Sequence, residues 1–423
     1  MIRWITDTVA TAPWDAVPEA GPDYRLDVRD LVDKAGNLES TVRAKLDEAL
    51  SVLATGRRVV VCCDYGMSRS NAVAAGIISR RMQVPLGEAI EVVRRATDAS
   101  AIRLEVLSVV ERVLEEKMTT AEEAGVRRVV VTGASGFVGT RVVPLLRDAG
   151  LEVIAPHREE LDLERDVVPL HVSLRRHQPT TLVHLANPRA YSTNRGVGDS
   201  LTLLKNVLDA ASESRIHLIY LSSWEVYSGH RERALAASED TPARPGSTYG
   251  QAKWLSEALL NHYREDLGLQ AAILRSSPAY GVEGEKPKFI WNFLRKALRN
   301  DDILAHRYRN GPPHLDLLHI DDLAAAIAAA TVRNVSVDVN IGTGISTSTT
   351  EVAERLVAIV GSTSRVRHIQ IEGDAPNIVM DTQRAKSVLG WVPRIDLETG
   401  LRGLVDATRG KNTERTGSGG GGR

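Results

Sequence analysis

Cys63-Asp64-Tyr65-Gly66-Met67-Ser68-Arg69-Ser70 sets a cysteine and an arginine six positions apart, on a turn between the apolar run Val59-Val60-Val61 and a helical segment. That layout suits cleavage of a phosphate ester by a thiolate. A free thiol with a pKa of about 8.5 must be brought down to roughly 3.5 to 7.5 by positive charge and helix-terminal amides before it attacks. Backbone amides from Asp64 to Arg69 can curl round a dianion at the start of the helix. Gly66 permits the turn, and Arg69 offers a bidentate fork to two phosphate oxygens. Ser70 can hydrogen-bond the sulfur and help it leave. Hydrolysis also needs a general acid for the departing oxygen, and Asp27, Asp30 and Asp33 lie upstream. A bare Cys-x5-Arg is common by chance. Here strand, glycine, arginine-serine pair and helix occur together, which argues for a phosphate site over a buried cysteine beside a surface arginine. Asp64 next to the nucleophile and the lack of lysines in the loop disfavour polyphosphorylated ligands, which call for more positive charge.

A second chemistry follows at Thr132-Gly133-Ala134-Ser135-Gly136-Phe137-Val138-Gly139. The stretch comes straight after Arg128-Val129-Val130-Val131 and opens a helix, as a dinucleotide-binding turn requires. Gly133 makes the turn, Gly136 lets the backbone approach a pyrophosphate, and Gly139 lets the helix pack on the strand. Ser135, Phe137 and Val138 within the turn, and Ala186 at a later strand end, complete the expected cofactor contacts. The second strand ends Ile154-Ala155-Pro156-His157-Arg158, without the acid that binds a ribose 2′-hydroxyl. Arg158 suits a 2′-phosphate, which favours NADP over NAD, and Asp162 with neighbouring Leu163 is a candidate for the adenine. Farther on, Ser223 ends a strand, and Tyr249 and Lys253 stand four apart on one helix face. An ammonium beside the phenol is expected to lower its pKa from about 10. Tyr249 then exchanges a proton with a substrate hydroxyl held by Ser223 while hydride moves to or from nicotinamide.

These residues need two scaffolds. At 423 residues the chain exceeds one ordinary domain. Helical spacing over 44–53, 71–81, 86–95 and 102–114 flanks one clear strand, 58–62. From residue 128, strands and helices alternate, which means a parallel sheet covered on both faces. The expected domains are 1–118, a polar linker 119–126, 127–410, and a low-complexity, disordered tail 411–423. Lys+Arg of 53 against Asp+Glu of 54 gives no reason to expect nucleic acid or a membrane as partner. No apolar run approaches the ~18 residues of a membrane span. The two cysteines, Cys62 and Cys63, are adjacent, which points to a reducing compartment and a cytoplasmic protein. No metal-spaced cluster accompanies His184 or His319, so no metal is expected.

On Cys63, Arg69 and Ser70, residues 1–117 resemble the dual-specificity, cysteine-dependent phosphatases, whose pattern is His-Cys-x5-Arg-Ser. The resemblance implies Cys63 as nucleophile, Arg69 as phosphate binder and Asp30 as general acid, with Asp33 as runner-up. Cys62 stands where that family has His. Residues 127–408 resemble the extended short-chain dehydrogenase/reductases of the epimerase and dehydratase superfamily. Its motifs here are Thr132 to Gly139, Leu182-Val183-His184-Leu185-Ala186, Ser223, Tyr249, Lys253, Leu318-His319-Ile320-Asp321-Asp322 and Leu389-Gly390-Trp391-Val392-Pro393. This second resemblance implies a Rossmann doubly wound sheet with a small C-terminal substrate lobe, and a homodimer formed through two helices per subunit, 201–211 and 249–264. Pro278 and Leu315 replace the Asn and Arg that often hold a nucleotide diphosphate. Ser223-Trp224-Glu225 lacks the middle acid of the dehydratase pattern, which ranks epimerisation or plain oxidoreduction above dehydration. The combined expectation is a bifunctional enzyme. An NAD(P)-dependent epimerase/reductase acts on a phosphate- or nucleotide-linked sugar, and a phosphatase serves the same pathway. The competing expectations are a phosphoprotein phosphatase governed by an NADP-sensing domain, and a phosphate-binding scaffold on a working dehydrogenase.

Overall fold

The structure is a computed structural model that describes residues 1–423 apart from 20, 35, 98–101, 103, 115–126, 166, 189, 232–233, 285–286 and 418–423. The expected linker 119–126 lies outside the described residues. Two compact units emerge. The first comprises Met1–Val126 with Glu159–Pro179 and Asn206–Arg215, and the second Arg127–Arg158, Thr180–Lys205 and Ile216–Arg423.

The first unit opens with β1 (Arg3–Trp4), β2 (Val9–Pro13), β3 (Tyr24–Asp27), α1 (Glu39–Ala54), β4 (Val59–Cys63), α2 (Ser68–Met82), α3 (Leu86–Thr97) and α4 (Leu104–Leu114). β4 is buried over its whole length. The sheet order is β1-β2-β4-β3, with β2 and β3 parallel to β4 and β1 antiparallel to β2. The single strand expected here is therefore one of four. Its neighbours are short or built from small residues such as Ala10 and Ala12, so they carry little periodic signal. α2 is buried from Arg69 to Ser79, because it runs through the middle of the unit against α1, α3 and α4.

The remaining elements are β5 (Arg128–Thr132), α5 (Gly139–Asp148), β6 (Glu152–Ile154), α6 (Val168–His177), β7 (Thr181–His184), α7 (Asn194–Glu213), β8 (His217–Ser223), β9 (Leu235–Ala237), α8 (Thr248–Leu267) and β10 (Ala271–Ser276). There follow β11 (Ala279–Tyr280), α9 (Lys288–Arg299), β12 (Ile303–Arg307), β13 (His314–Leu315), β14 (Leu318–His319), α10 (Ile320–Arg333), β15 (Asp338–Ile341), β16 (Thr347–Ser348), α11 (Thr349–Val360), β17 (Val366–Gln370), β18 (Asn377–Met380) and α12 (Leu397–Gly417). α12 runs on through 411–417, so the start of the expected disordered tail is helical.

Six parallel strands form the second unit's main sheet in the order β15-β10-β8-β7-β5-β6. β6 and β7 lie on opposite sides of β5, so the winding reverses there. A ligand crevice belongs at that reversal. Val129, Val131, Val183 and Ile219 of the sheet pack with Val142 and Leu146 of α5 and Ile327 of α10. A smaller core of Ile290, Phe293, Leu356 and Leu404 holds the C-terminal lobe. Beneath the strand ends, buried Arg275 of β10 pairs with Glu257 of α8 at 2.8 Å, donates to the Tyr227 hydroxyl at 2.8 Å and meets Asp338 of β15 at 3.3 Å. A buried guanidinium demands its partners, and meeting that demand pins α8 against the sheet. Among the described residues no helix is long and apolar enough to cross a membrane.

Candidate active sites

In the first unit, β4 ends at Cys63 and α2 begins at Ser68. Gly66 sits at φ 66°, and a Cβ there would fall 2.2 Å from the backbone of Ala12 and Pro13, so the loop can close only with glycine. The result is a tight cradle. The Gly66 amide donates to Cys63 Sγ at 3.1 Å, and Ser70 Oγ lies 3.4 Å from the sulfur. Burial alone would push the Cys63 thiol up. The Ser70 hydroxyl and the amides of Ser70, Met67 and Gly66 outweigh it and hold the thiol below its ordinary value. Its neighbour behaves oppositely, since burial pushes Cys62 up to about 12. Adjacent strand residues face opposite sides of the sheet, so only one of the two sulfurs meets the loop.

Arg69 is 9% exposed. Its Nη1 donates to the Leu31 carbonyl at 2.7 Å and to the Arg29 carbonyl at 3.2 Å. Nη2 binds the Asp64 carboxylate, and Nε lies 3.4 Å from Asp33. Asp33 also accepts a hydrogen bond from Ser68 Oγ at 2.9 Å. Asp30, the preferred acid, stands apart from this group. It is half-exposed and paired with Lys45 of α1 at 3.2 Å, whereas Asp33 touches the loop. Spacing along an irregular segment did not reveal which carboxylate turns inward.

In the second unit, Gly133 follows β5 at φ 73°, and a Cβ on it would meet the Ala186 nitrogen at 2.7 Å. The turns after β5 and β7 thus touch at the reversal of the sheet. A Cβ on Gly139 would strike the Gly133 carbonyl at 2.3 Å, so the start of α5 packs directly on the turn, while Gly136 and Ser135 face outward. These are the conditions a dinucleotide's pyrophosphate needs. Phe137 and Val138 precede α5 and line the adjoining cleft. Arg158 is exposed beyond β6, and Asp162 and Leu163 lie in the 159–179 segment that clusters with the first unit. Thr132 and His184 are joined by a 2.7 Å hydrogen bond, and burial lowers His184 to about 3, which keeps it neutral and structural. Among the described residues there is no cluster able to hold a metal ion.

A cleft of about 780 Å³ opens over these strand ends, and Ser223, Glu225 and Tyr249 line it. Lys253, buried below, donates to the Leu221 carbonyl at 2.8 Å and to the Tyr220 hydroxyl at 3.2 Å. Its Nζ is 5.7 Å from the centroid of the Tyr249 ring. Burial lowers Lys253 to about 7, against a raising effect from Glu257. Burial, Tyr220 and Glu225 together raise the Tyr249 phenol, which corrects the expected lowering. The ammonium is four residues away on the helix, yet its hydrogen bonds go elsewhere. Three cleft residues had no signal in the sequence. Tyr191 packs its ring 4.9 Å from that of Tyr249, Ser247 donates to the Glu225 carboxylate, and Lys288 stands at the start of α9. All three come from loops or loop edges. Pro278 and Leu315 line the same cleft.

A reversed parallel sheet, a glycine turn at its switch point and a cleft over the strand ends lined by Ser223 and Tyr249 are features of the short-chain dehydrogenase class. Residues 129–342 match the NAD dependent epimerase/dehydratase family, and the chain belongs to that family, whose cofactor is a nicotinamide dinucleotide. The UDP-glucose 4-epimerase of Mycolicibacterium smegmatis is 27% identical over 317 residues, covering 67% of this chain and 99% of that protein. UDP-glucuronic acid decarboxylase 1 of Xenopus tropicalis is 24% identical over 308 residues, covering 66% of this chain and 71% of that protein. The crystal structure of Thermus thermophilus UDP-glucose 4-epimerase in complex with NAD is similar at a TM-score of 0.59 and 25% identity, over 67% of this chain and 99% of that one. The family match begins at residue 129, so the cysteine loop lies outside it.

Proposed function

We propose that the second unit is an NAD(P)-dependent epimerase or reductase acting on a sugar linked to a nucleotide, and that the first is a cysteine-dependent phosphomonoesterase serving the same pathway. The observation that carries the first half is the convergence of Ser223 and Tyr249 on one cleft beside the glycine turn. When bound, the nicotinamide accepts and returns hydride at a sugar carbon. Gly133, Gly136 and Gly139 would hold its pyrophosphate, with Ser135, Phe137, Val138 and Ala186 alongside. Arg158, and the absence of an acid over residues 155–158 directly after β6, favour a 2′-phosphate, hence NADP. Tyr249 and Ser223 address the same substrate oxygen. The raised phenol keeps its proton at neutral pH and gives it to a developing alkoxide. For the reverse step it needs positive charge nearby, which Lys253 supplies when protonated. Trp224 in place of an acid beside Ser223 disfavours dehydration, and the UDP-glucose 4-epimerase relatives support a nucleotide sugar. Interconversion of UDP-glucose and UDP-galactose, followed by NMR in native protein and Tyr249→Phe, tests this half. No turnover of any UDP-hexose or reduction of its keto form sinks it.

The second half rests on the lowered thiol of Cys63 inside a loop closed by Gly66. Cys63 attacks phosphorus as the ester P–O bond breaks, Arg69 holds two phosphate oxygens, and Asp33, in preference to Asp30 and when protonated, gives its proton to the leaving oxygen. Water then cleaves the phosphocysteine, releasing phosphate, with Ser70 steadying the departing thiolate. Two free cysteines fit a cytoplasmic setting, and α7 and α8 are the faces we assign to a homodimer. Phosphate release from sugar phosphates, nucleoside monophosphates and phosphotyrosine peptides, compared between native protein and Cys63→Ser, tests it. Absence of Cys63-dependent release from every ester refutes it.

A further inference from the structure

Without a ligand, Arg69 already uses Nη1 and Nη2, while Nε faces Asp33 at 3.4 Å and makes no hydrogen bond. Nη1 is spent on the Leu31 and Arg29 carbonyls, which fix the plane of the fork from behind. Nη2 and Nε, left to face an incoming anion, meet carboxylates instead: Asp64 on Nη2 and Asp33 on Nε. Asp64 belongs to the loop itself, one residue after the nucleophile, and its side chain is 52% exposed, so it can swing into solvent without disturbing the core. Asp33 is held less loosely, since Ser68 Oγ donates to its other oxygen at 2.9 Å.

We infer that Asp64 is an intramolecular stand-in for phosphate, which occupies the arginine fork of the cysteine loop and must be displaced before a phosphomonoester is gripped. This rests on the phosphatase reading and adds a specificity-determining residue to it. A carboxylate brings one negative charge and two acceptor oxygens, enough to match the fork. A phosphomonoester dianion brings more of both, so it displaces Asp64 where a monoanion such as a phosphodiester or a carboxylate does not. The loop thereby rejects singly charged ligands, at some loss of affinity for the right ones.

The test uses the full chain and inorganic phosphate, reading protection of Cys63 against alkylation by iodoacetamide in native protein, Asp64→Asn and Asp64→Ala. Removing one negative charge a few ångströms from the anion, at the effective dielectric of a protein surface, predicts about a tenfold lower phosphate concentration for half-protection. Both variants should also gain protection by dimethyl phosphate, a monoanion, which does not protect the native loop. Unchanged or weaker protection by phosphate in both variants overturns the inference and makes Asp64 a positioning residue for Arg69. Lack of protection by phosphate in all three proteins, with Cys63 still readily alkylated, overturns the phosphatase reading as well, so the two failures are distinguishable.

Discussion

Replacing Lys253 by Met should abolish turnover and yet strengthen the second unit against unfolding at low pH. The lysine is 4% exposed and its pKa is lowered by burial to about 7, against about 10.4 for a free lysine. The folded state therefore disfavours the ammonium. Between these two values the unfolded chain binds more protons, so the native protein gains stability as pH rises through that window. The full penalty applies below pH 7, is roughly 4 to 5 kcal/mol at 1.36 kcal/mol per pH decade, and falls to about 2 kcal/mol at pH 9. Methionine carries no such dependence. It does strip a donor from the Leu221 carbonyl and the Tyr220 hydroxyl, a constant cost of about 1 to 3 kcal/mol. The stability difference between variant and native protein should thus move by about 3 kcal/mol in the native protein's favour from pH 6 to pH 9. Groups common to both proteins cancel in that difference. Urea unfolding of both proteins at the two pH values measures it. A difference that stays constant with pH refutes the claim that Lys253 is buried at a cost.

Three further outcomes are expected. Tyr249→Phe removes the proton carrier and should lower kcat by about 10² to 10⁴-fold, while cofactor binding, read by quenching of tryptophan fluorescence, stays intact. Cys63 should be alkylated at a lower pH than an ordinary thiol, because its neighbours hold it below the usual value, while Cys62, pushed up to about 12, stays unmodified below about pH 10; mass spectrometry of the peptide from native protein and Cys63→Ser separates the two. Gly133→Ala places a methyl 2.7 Å from the Ala186 nitrogen at a positive φ. Equilibrium dialysis should then show NAD(P) binding lost, with a stability cost of about 1 to 3 kcal/mol.

Both strand-to-helix turns were legible because all their parts are contiguous. In Val59 to Ser70 and Val129 to Gly139, strand, glycine, ligand group and helix start follow one another, so local chemistry alone defines the geometry. Where the geometry depends on side-chain direction in an irregular segment, spacing carries no such information. Asp30 and Asp33 are three apart in one loop, and only packing turns Asp33 toward Arg69 and leaves Asp30 to Lys45. Distance along the chain hid other features. The sheet β16-β13-β18-β9 is built from strands of two to four residues far apart in sequence, too short for any periodicity to announce them.

The Tyr249-Lys253 pair shows a different kind of failure. Its helical spacing was right, and α8 does carry both residues to one cleft. What the spacing left out was competition for the ammonium: the Leu221 carbonyl and the Tyr220 hydroxyl take its hydrogen bonds, while burial lowers the lysine and raises the phenol together. The same competition occupies Arg69, whose Nη2 is bound by Asp64, while Nε stands 3.4 Å from Asp33 without a hydrogen bond. In both sites a buried cation has found protein partners, since an unpartnered one is costly. On the phosphatase reading proposed for the first unit, an anion reaching Arg69 exchanges the Asp64 contact for its own, whereas the contacts of Lys253 lie below the cleft and stay in place.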